Sequence, residues 1–230
     1  MLVYGKNVLK ELDIKKIRKA YLSRSIKDNT VQKFLNDNHI RYELVDNNRL
    51  DKLANGNHQG IVIDINDYDY YALKDIKDED LIVMLDHLED PHNLGAIIRT
   101  CECAGIKSII IPKDRSVRVN DTVMKVSTGA LERVKIILVS NLVDAINKLK
   151  KQGFFIYSAD MNGTSYKNVD YASKKVLVIG NEGNGISRLV KENSDEVISI
   201  PMKGELNSLN ASVSAGILIY GMDKGEVDEL

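Results

Sequence analysis

The sequence predicts an α/β fold in two parts, a small α/β domain followed by a larger domain built on a mostly parallel sheet. Two observations carry this. Short continuous apolar runs such as Leu81-Ile-Val-Met-Leu85 suit strands of a sheet covered on both faces. Stretches of helical periodicity lie between most of these runs.

Taken in order, residues 1–65 predict helix 5–12, strand 17–23, helix 30–38, strand 41–45, short helix 49–54 and strand 60–65. That set makes a self-contained unit. Residues 66–78, with Asp67-Tyr-Asp-Tyr-Tyr71, have little apolar periodicity and read as a linker. The second unit spans 79–230. Its strands are expected at 81–85, 108–111, 134–139, 154–158, 176–179 and 197–200, with helices at 93–104, 120–125, 142–151 and 186–191. The last helix, 208–222, is crowded with Ala211, Ser212, Ser214, Ala215 and Gly216 and carries no charge from Asn207 to Met222. It reads as buried, with small side chains that let another backbone come close. Leu209, Val213, Gly216, Ile217 and Tyr220 share one face at helical spacing.

The apolar fraction of 43% and charged fraction of 28% are those of an ordinary globular protein. No apolar run approaches the ~18 residues of a membrane span, and the N-terminus lacks a signal-peptide core, so a cytoplasmic location is expected. Cys101 and Cys103 stand two apart on a helix, point different ways and read as reduced thiols. With four scattered His, no metal site is expected. The net charge of −1 hides an asymmetry: residues 1–65 hold 12 Lys/Arg against 8 Asp/Glu, sharpest at Lys15-Lys16-Ile-Arg18-Lys19. Such a lobe is compatible with RNA, although charge alone favours a solvated face.

Three blocks carry chemistry. In Asp90-Pro91-His92-Asn93-Leu94-Gly95-Ala96-Ile-Ile-Arg99, the Asp, Pro and Asn suit a helix start, but Arg99 falls in an apolar helix and calls for an anionic partner. Gly180-Asn181-Glu182-Gly183-Asn184-Gly185 follows a buried strand. Its spacing is not the G-x-G-x-x-G of dinucleotide folds, and no Walker motif exists. It is a ligand loop at a strand's carboxyl end or a plain turn; Glu182 is the natural partner for Arg99. In Ile200-Pro-Met202 through Ser208-Leu209-Asn210, Ser208 and Asn210 are helix caps or site residues. Singly these are turns. Together they put an Arg, a Glu, a Ser and two Asn at strand-to-helix junctions of one sheet.

In this order and separation, DPHNLGAIIRT, IGNEGNG and IPMKGELNSLNASVSAG resemble the three motifs of the SpoU family of RNA ribose 2′-O-methyltransferases, over residues 79–222. Ile111-Pro-Lys-Asp-Arg115-Ser116, Tyr4-Gly5-Lys-Asn-Val-Leu9 and His58-Gln-Gly-Ile61 are similar to the bacterial subgroup that acts on a guanosine of 23S ribosomal RNA. The resemblance implies a C-terminal deep trefoil knot, an L30e-like RNA substrate-binding domain over 1–65, S-adenosylmethionine as cofactor and a homodimer. It implies cofactor contacts at Gly180, Ile200 and Leu209, with Glu182, Gly183, Gly185 and Met202 beside them. It assigns the catalytic group to Asn93, Arg99, Glu182, Ser208 and Asn210. The family makes the motif 1 arginine the general base, but a guanidinium is not deprotonated in proteins, so Arg99 as a phosphate clamp stays open. A tRNA methyltransferase and a non-catalytic RNA- or ribosome-binding homologue are the alternative readings. His39, His58 and His87 show no charge partner in the sequence.

Overall fold

The computed structural model describes residues 1–26, 28–54, 56–206 and 208–222 of the chain. They form two compact units, 1–69 with 119–129 and 70–118 with 130 onward.

The first unit holds β1 (Leu2–Tyr4), α1 (Lys6–Glu11), β2 (Ile17–Ser23), α2 (Asn29–Asp37), β3 (Tyr42–Val45), α3 (Asn47–Leu53) and β4 (Ile61–Ile65). The sheet order is β1-β4-β2-β3, with β2 and β3 parallel and the other pairs antiparallel. Asp28 and Asp46 cap α2 and α3 with their side chains, which explains where those helices start. Leu22, Leu35, Ile61 and Ile63 are fully buried in one cluster. β1 was not expected from the sequence, because three residues at a chain start show no alternation to read.

The second unit opens at Tyr70. Tyr71 N–H donates to the Ile136 carbonyl at 2.9 Å, and Leu73 and Ile76 pack on the core. The segment expected to be a linker is therefore anchored from Tyr71 onward. Then follow β5 (Leu81–Asp86), α4 (Pro91–Cys103) and β6 (Ser108–Pro112). The next helix, α5 (Asp121–Ser127), belongs with the first unit, where Met124 packs on the core and Lys125 Nζ lies 5.5 Å from the Tyr4 ring. Expected as an ordinary crossover of the second domain, α5 shows how a short amphipathic helix hides its allegiance in sequence. The chain continues through β7 (Lys135–Val139), α6 (Leu142–Lys150), β8 (Phe155–Ser165), β9 (Lys175–Gly180), α7 (Arg188–Glu192), β10 (Glu196–Ser199) and α8 (Ala211–Met222).

The six strands are all parallel, in the order β10-β8-β9-β5-β6-β7. Central β5 is buried along nearly its whole length, as its unbroken apolar run requires. Ile82, Met84, Val176 and Val178 pack with α6 and α7 residues such as Ile146, Leu149 and Val190. α4 packs on α8, and α8 also contacts β9. Cys101 is buried and Cys103 exposed, and burial pushes the Cys101 thiol well above its usual range. Among the described residues, no helix is long and apolar enough to cross a membrane.

Two expectations about α8 need correction. It begins at Ala211, three residues after Ser208. Its buried face is Ala211, Ala215, Leu218, Ile219 and Met222, while Leu209, Val213 and Tyr220 are exposed. α8 is apolar all round, so periodicity cannot choose a face; the positions of α4 and β9 choose it. Nor does Gly216 mark a close approach, since a Cβ there would meet Thr100 Cγ2 at an ordinary 3.9 Å.

Candidate active site

All six parallel strands end on one edge of the sheet, where open α/β sheets form ligand crevices. β9 ends at Gly180, and the following loop folds onto itself. Asn181 and Gly185 exchange both backbone hydrogen bonds at 3.0 Å. Asn181 Oδ1 accepts from the N–H groups of Gly183 and Asn184 at 2.8 and 3.1 Å, and its Nδ2 donates to the His87 carbonyl at 2.8 Å. This closure leaves no room for a side chain at Gly180: a Cβ would lie 2.3 Å from the carbonyl carbon of Gly185.

Beside the loop opens a cavity of about 450 Å³, within the usual range for small-molecule sites. Gly180, Glu182, Gly183, Gly185, Ile200, Met202 and Leu209 all line it, so the seven positions expected to contact a cofactor share one space. Ser208 lines it too. Its walls mix apolar groups (Ile179, Ile198, Leu218) with loop backbone, and Met202 and Leu209 stand partly exposed at its mouth.

The five expected catalytic residues separate. Asn93 and Glu182, 89 positions apart, are joined by an Asn93 Nδ2–H···Oε1 Glu182 bond of 2.9 Å. Asn93 is only 5% exposed, so this bond satisfies a buried amide on the first turn of α4. The first turn itself is set by Asp90, whose carboxylate accepts from His92 N–H, with Pro91 at the first helical position. Ser208 is exposed on the cavity. Asn210 acts as the cap of α8: its Oδ1 accepts from Ser212 N and Oγ at 2.9 and 2.6 Å and from Val213 N at 3.4 Å.

Arg99 departs from expectation. It is exposed, and among the described residues its side chain makes no hydrogen bond or ion pair. The Arg99–Glu182 pair is not formed; Glu182 is engaged by Asn93 instead. Helix geometry gives the reason. His92, Ala96, Arg99 and Cys103 fall on one stripe of α4, the stripe turned away from the core. Neighbours in sequence made Arg99 look buried when only its helix was.

Three site features escaped the sequence. β8 extends seven residues beyond its expected end, and Ala159, Asp160 and Met161 from this polar extension line the cavity. Pairing with β10 skips from Ser158 to Thr164, so 159–163 bulge out of the ladder. Asp160 pairs with Lys191 at 2.9 Å, which holds its carboxyl below the usual range. Two of the three histidines read as partnerless have carboxylates, His58 with Asp51 at 3.0 Å and His87 with Asp86 at 2.5 Å. Asp86 is the last residue of a buried strand, which hid it among core positions.

Residues 80–220 match the SpoU rRNA methylase family, and residues 2–71 match the RNA 2′-O ribose methyltransferase substrate-binding domain. A TrmH family tRNA/rRNA methyltransferase of Staphylococcus aureus is 40% identical over 243 residues, covering 98% of both chains. An AdoMet-bound rRNA methyltransferase of Sinorhizobium meliloti superposes with a TM-score of 0.78 at 25% identity, covering 96% of this chain and 85% of that one. The SpoU methyltransferase AviRb of Streptomyces viridochromogenes, in complex with AdoMet, gives a TM-score of 0.84 at 21% identity over 96% and 88%, a likeness of fold. A cavity framed by the second and third motif loops, tied to the first motif by the Asn93–Glu182 bond, and a family match over residues 80–220 lead to one conclusion: the chain belongs to the SpoU/TrmH family of RNA methyltransferases.

Proposed function

We propose that this protein methylates a ribose 2′-hydroxyl of RNA with S-adenosylmethionine, at a guanosine of 23S ribosomal RNA. The observation that carries this reading is the convergence of three sequence-distant loops on one cavity, joined to α4 by the Asn93–Glu182 bond. The cavity fits the cofactor. Ile179, Ile198 and Leu218 suit an adenine ring, and the backbone of 180–185, with Asp160 and Ser208, suits its polar groups.

The cofactor supplies an electrophilic methyl group. The protein's task is then the nucleophile, because a ribose hydroxyl is a very weak acid. Asn93 and Glu182, locked together, fix the boundary between α4 and the cavity. Ser208 offers a hydroxyl on the cavity to orient the ribose. Arg99 is exposed and uncommitted, which suits a guanidinium that engages an RNA phosphate and stabilises developing negative charge rather than one that removes a proton. Asn210 supports the site indirectly by holding the first turn of α8.

Residues 1–65 are read as the L30e-like RNA-binding domain, 66–78 as the connection and 79–230 as the methyltransferase domain. The match over 2–71 and the basic cluster at 15–19 support this. The adjacency of β9 to both β8 and β5, with α8 returning onto β9, is in keeping with a trefoil knot. The apolar exposed residues Leu209, Val213 and Tyr220 suit a homodimer interface beside the site. The enzyme acts in the cytoplasm, where its RNA substrate is made. Mapping ribose methylation across ribosomal and transfer RNA after gene deletion tests the assignment. Loss at one 23S guanosine is expected; loss at a tRNA position selects the tRNA reading instead.

A further inference from the structure

The edge of the sheet holds more than one cavity. A second, of about 310 Å³, shares Asn181, Asn184 and Gly185 with the first, and a third, of about 460 Å³, shares His87, Arg115 and Ser187 with the second. The three run together over the carboxyl ends of β9, β5, β6 and β7. At the junction of the second and third stand two residues in the left-handed region, His87 at φ 59° and Arg115 at φ 49°. Side chains rarely adopt this backbone, and such strain gathers at functional sites.

His87 is held on several sides. Its Nδ1 lies 2.5 Å from Asp86 Oδ1, and Asp86 is 1% exposed. The other Asp86 oxygen accepts from Ser187 N at 2.6 Å, and Asn181 holds the His87 carbonyl. With Nδ1 turned to the Asp86 carboxylate, Nε2 is the ring nitrogen turned elsewhere, on a side chain that is 32% exposed. Arg115 is exposed and, among the described residues, has no hydrogen bond or ion pair. Arg188, 80% exposed, has a 3.3 Å pair with Glu192.

From this geometry we infer that the trough is a second RNA subsite, seating the nucleotide next to the methylated ribose, with its phosphate on Arg115 and Arg188 and its base against His87. A fixed aromatic ring beside solvent-exposed guanidiniums is the chemistry that holds unpaired nucleotides. Glu89 and Asp114 also line these cavities, and their carboxylates suit the amino edge of a base rather than a free phosphate ion. The trough adjoins the cofactor cavity along Asn181, Asn184 and Gly185, so RNA lying in it runs past the cavity's edge. This subsite rests on the proposed RNA methyltransfer reading.

The test uses the full chain with ribosomal RNA from a strain lacking the gene as methyl acceptor. Arg115→Gly accepts the left-handed backbone, and Arg188→Ala changes an exposed helix position. Each should raise the KM for RNA about tenfold and lower the salt dependence of binding by about one ion, with cofactor affinity unchanged. His87→Asn, which also tolerates this backbone, should raise the RNA KM by a similar ~10-fold factor. RNA carrying 4-thiouridine should cross-link to peptides containing residues 87–89 or 113–116. Wild-type RNA KM in all three variants, or cross-links that avoid both peptides, would overturn the subsite. A wild-type protein that methylates no RNA would instead overturn the reading beneath it.

Discussion

Gly180→Ala probes the loop that frames the cavity. An added Cβ would sit 2.3 Å from Gly185 C, 2.4 Å from Ile186 N and 2.6 Å from Gly185 O, all backbone atoms that cannot rotate aside. Relief to ordinary contact needs a shift of about 1 Å in the 181–185 loop. That shift strains the paired Asn181–Gly185 bonds, now both 3.0 Å. Overpacking of this kind costs about 1–3 kcal/mol, and weakening two backbone bonds adds about 1 kcal/mol each at most. Destabilisation of about 2–4 kcal/mol follows, together with loss of S-adenosylmethionine affinity of at least ~10-fold, because six cavity-lining positions, 180–185, belong to this loop. Urea unfolding and calorimetric titration measure the two effects. A variant with the wild-type urea midpoint and cofactor affinity would refute the claim that closure of this loop builds the cavity.

Other expectations follow from the same geometry. Arg99→Ala should lose more than ~100-fold in methylation yet still bind the cofactor, and single-turnover assays with near-normal rates would reject its role. Glu79 is buried beside Ser108, and desolvation raises its carboxyl above the usual range despite the Ser108 hydrogen bond. Its folded form therefore holds the proton more tightly than the unfolded chain does. The stability it contributes is full below the ordinary value of 4.5 and is lost as pH rises through the raised folded value. Glu79→Gln should flatten that decline between acidic and neutral pH, seen in urea midpoints; an unchanged pH profile would remove Glu79 as its source. Val213→Glu with Tyr220→Glu places charge on the exposed apolar face of α8 and should convert the proposed dimer to a monomer by light scattering; a dimer that persists would exclude that face as the interface.

Much of the second unit was legible in its sequence, for a physical reason. Its strands are buried on both faces, so they read as unbroken apolar runs, and β5 at 81–86 and β9 at 175–180 fall within a residue of where those runs place them. The three motif loops were legible because strand ends, glycines and caps mark them locally. What failed depended on surroundings. The outer half of β8 is polar because it bulges toward the cavity rather than the core. The buried face of α8 cannot be read from a helix that is apolar all round. The exposure of Arg99 depends on which stripe of α4 meets α8, and the allegiance of α5 depends on a core more than fifty positions earlier in the chain. The Asp86–His87 pair was hidden because a carboxylate at the end of a buried strand looks like a strand boundary.

The central claim is ribose methylation by a cavity made of three loops. Purified protein, labelled S-adenosylmethionine and ribosomal RNA from a deletion strain test it most directly. The account predicts label in one nucleotide of 23S RNA, a guanosine whose 3′ linkage resists alkaline hydrolysis. Label on a nucleobase, or no transfer to any RNA by protein that binds the cofactor, would contradict it.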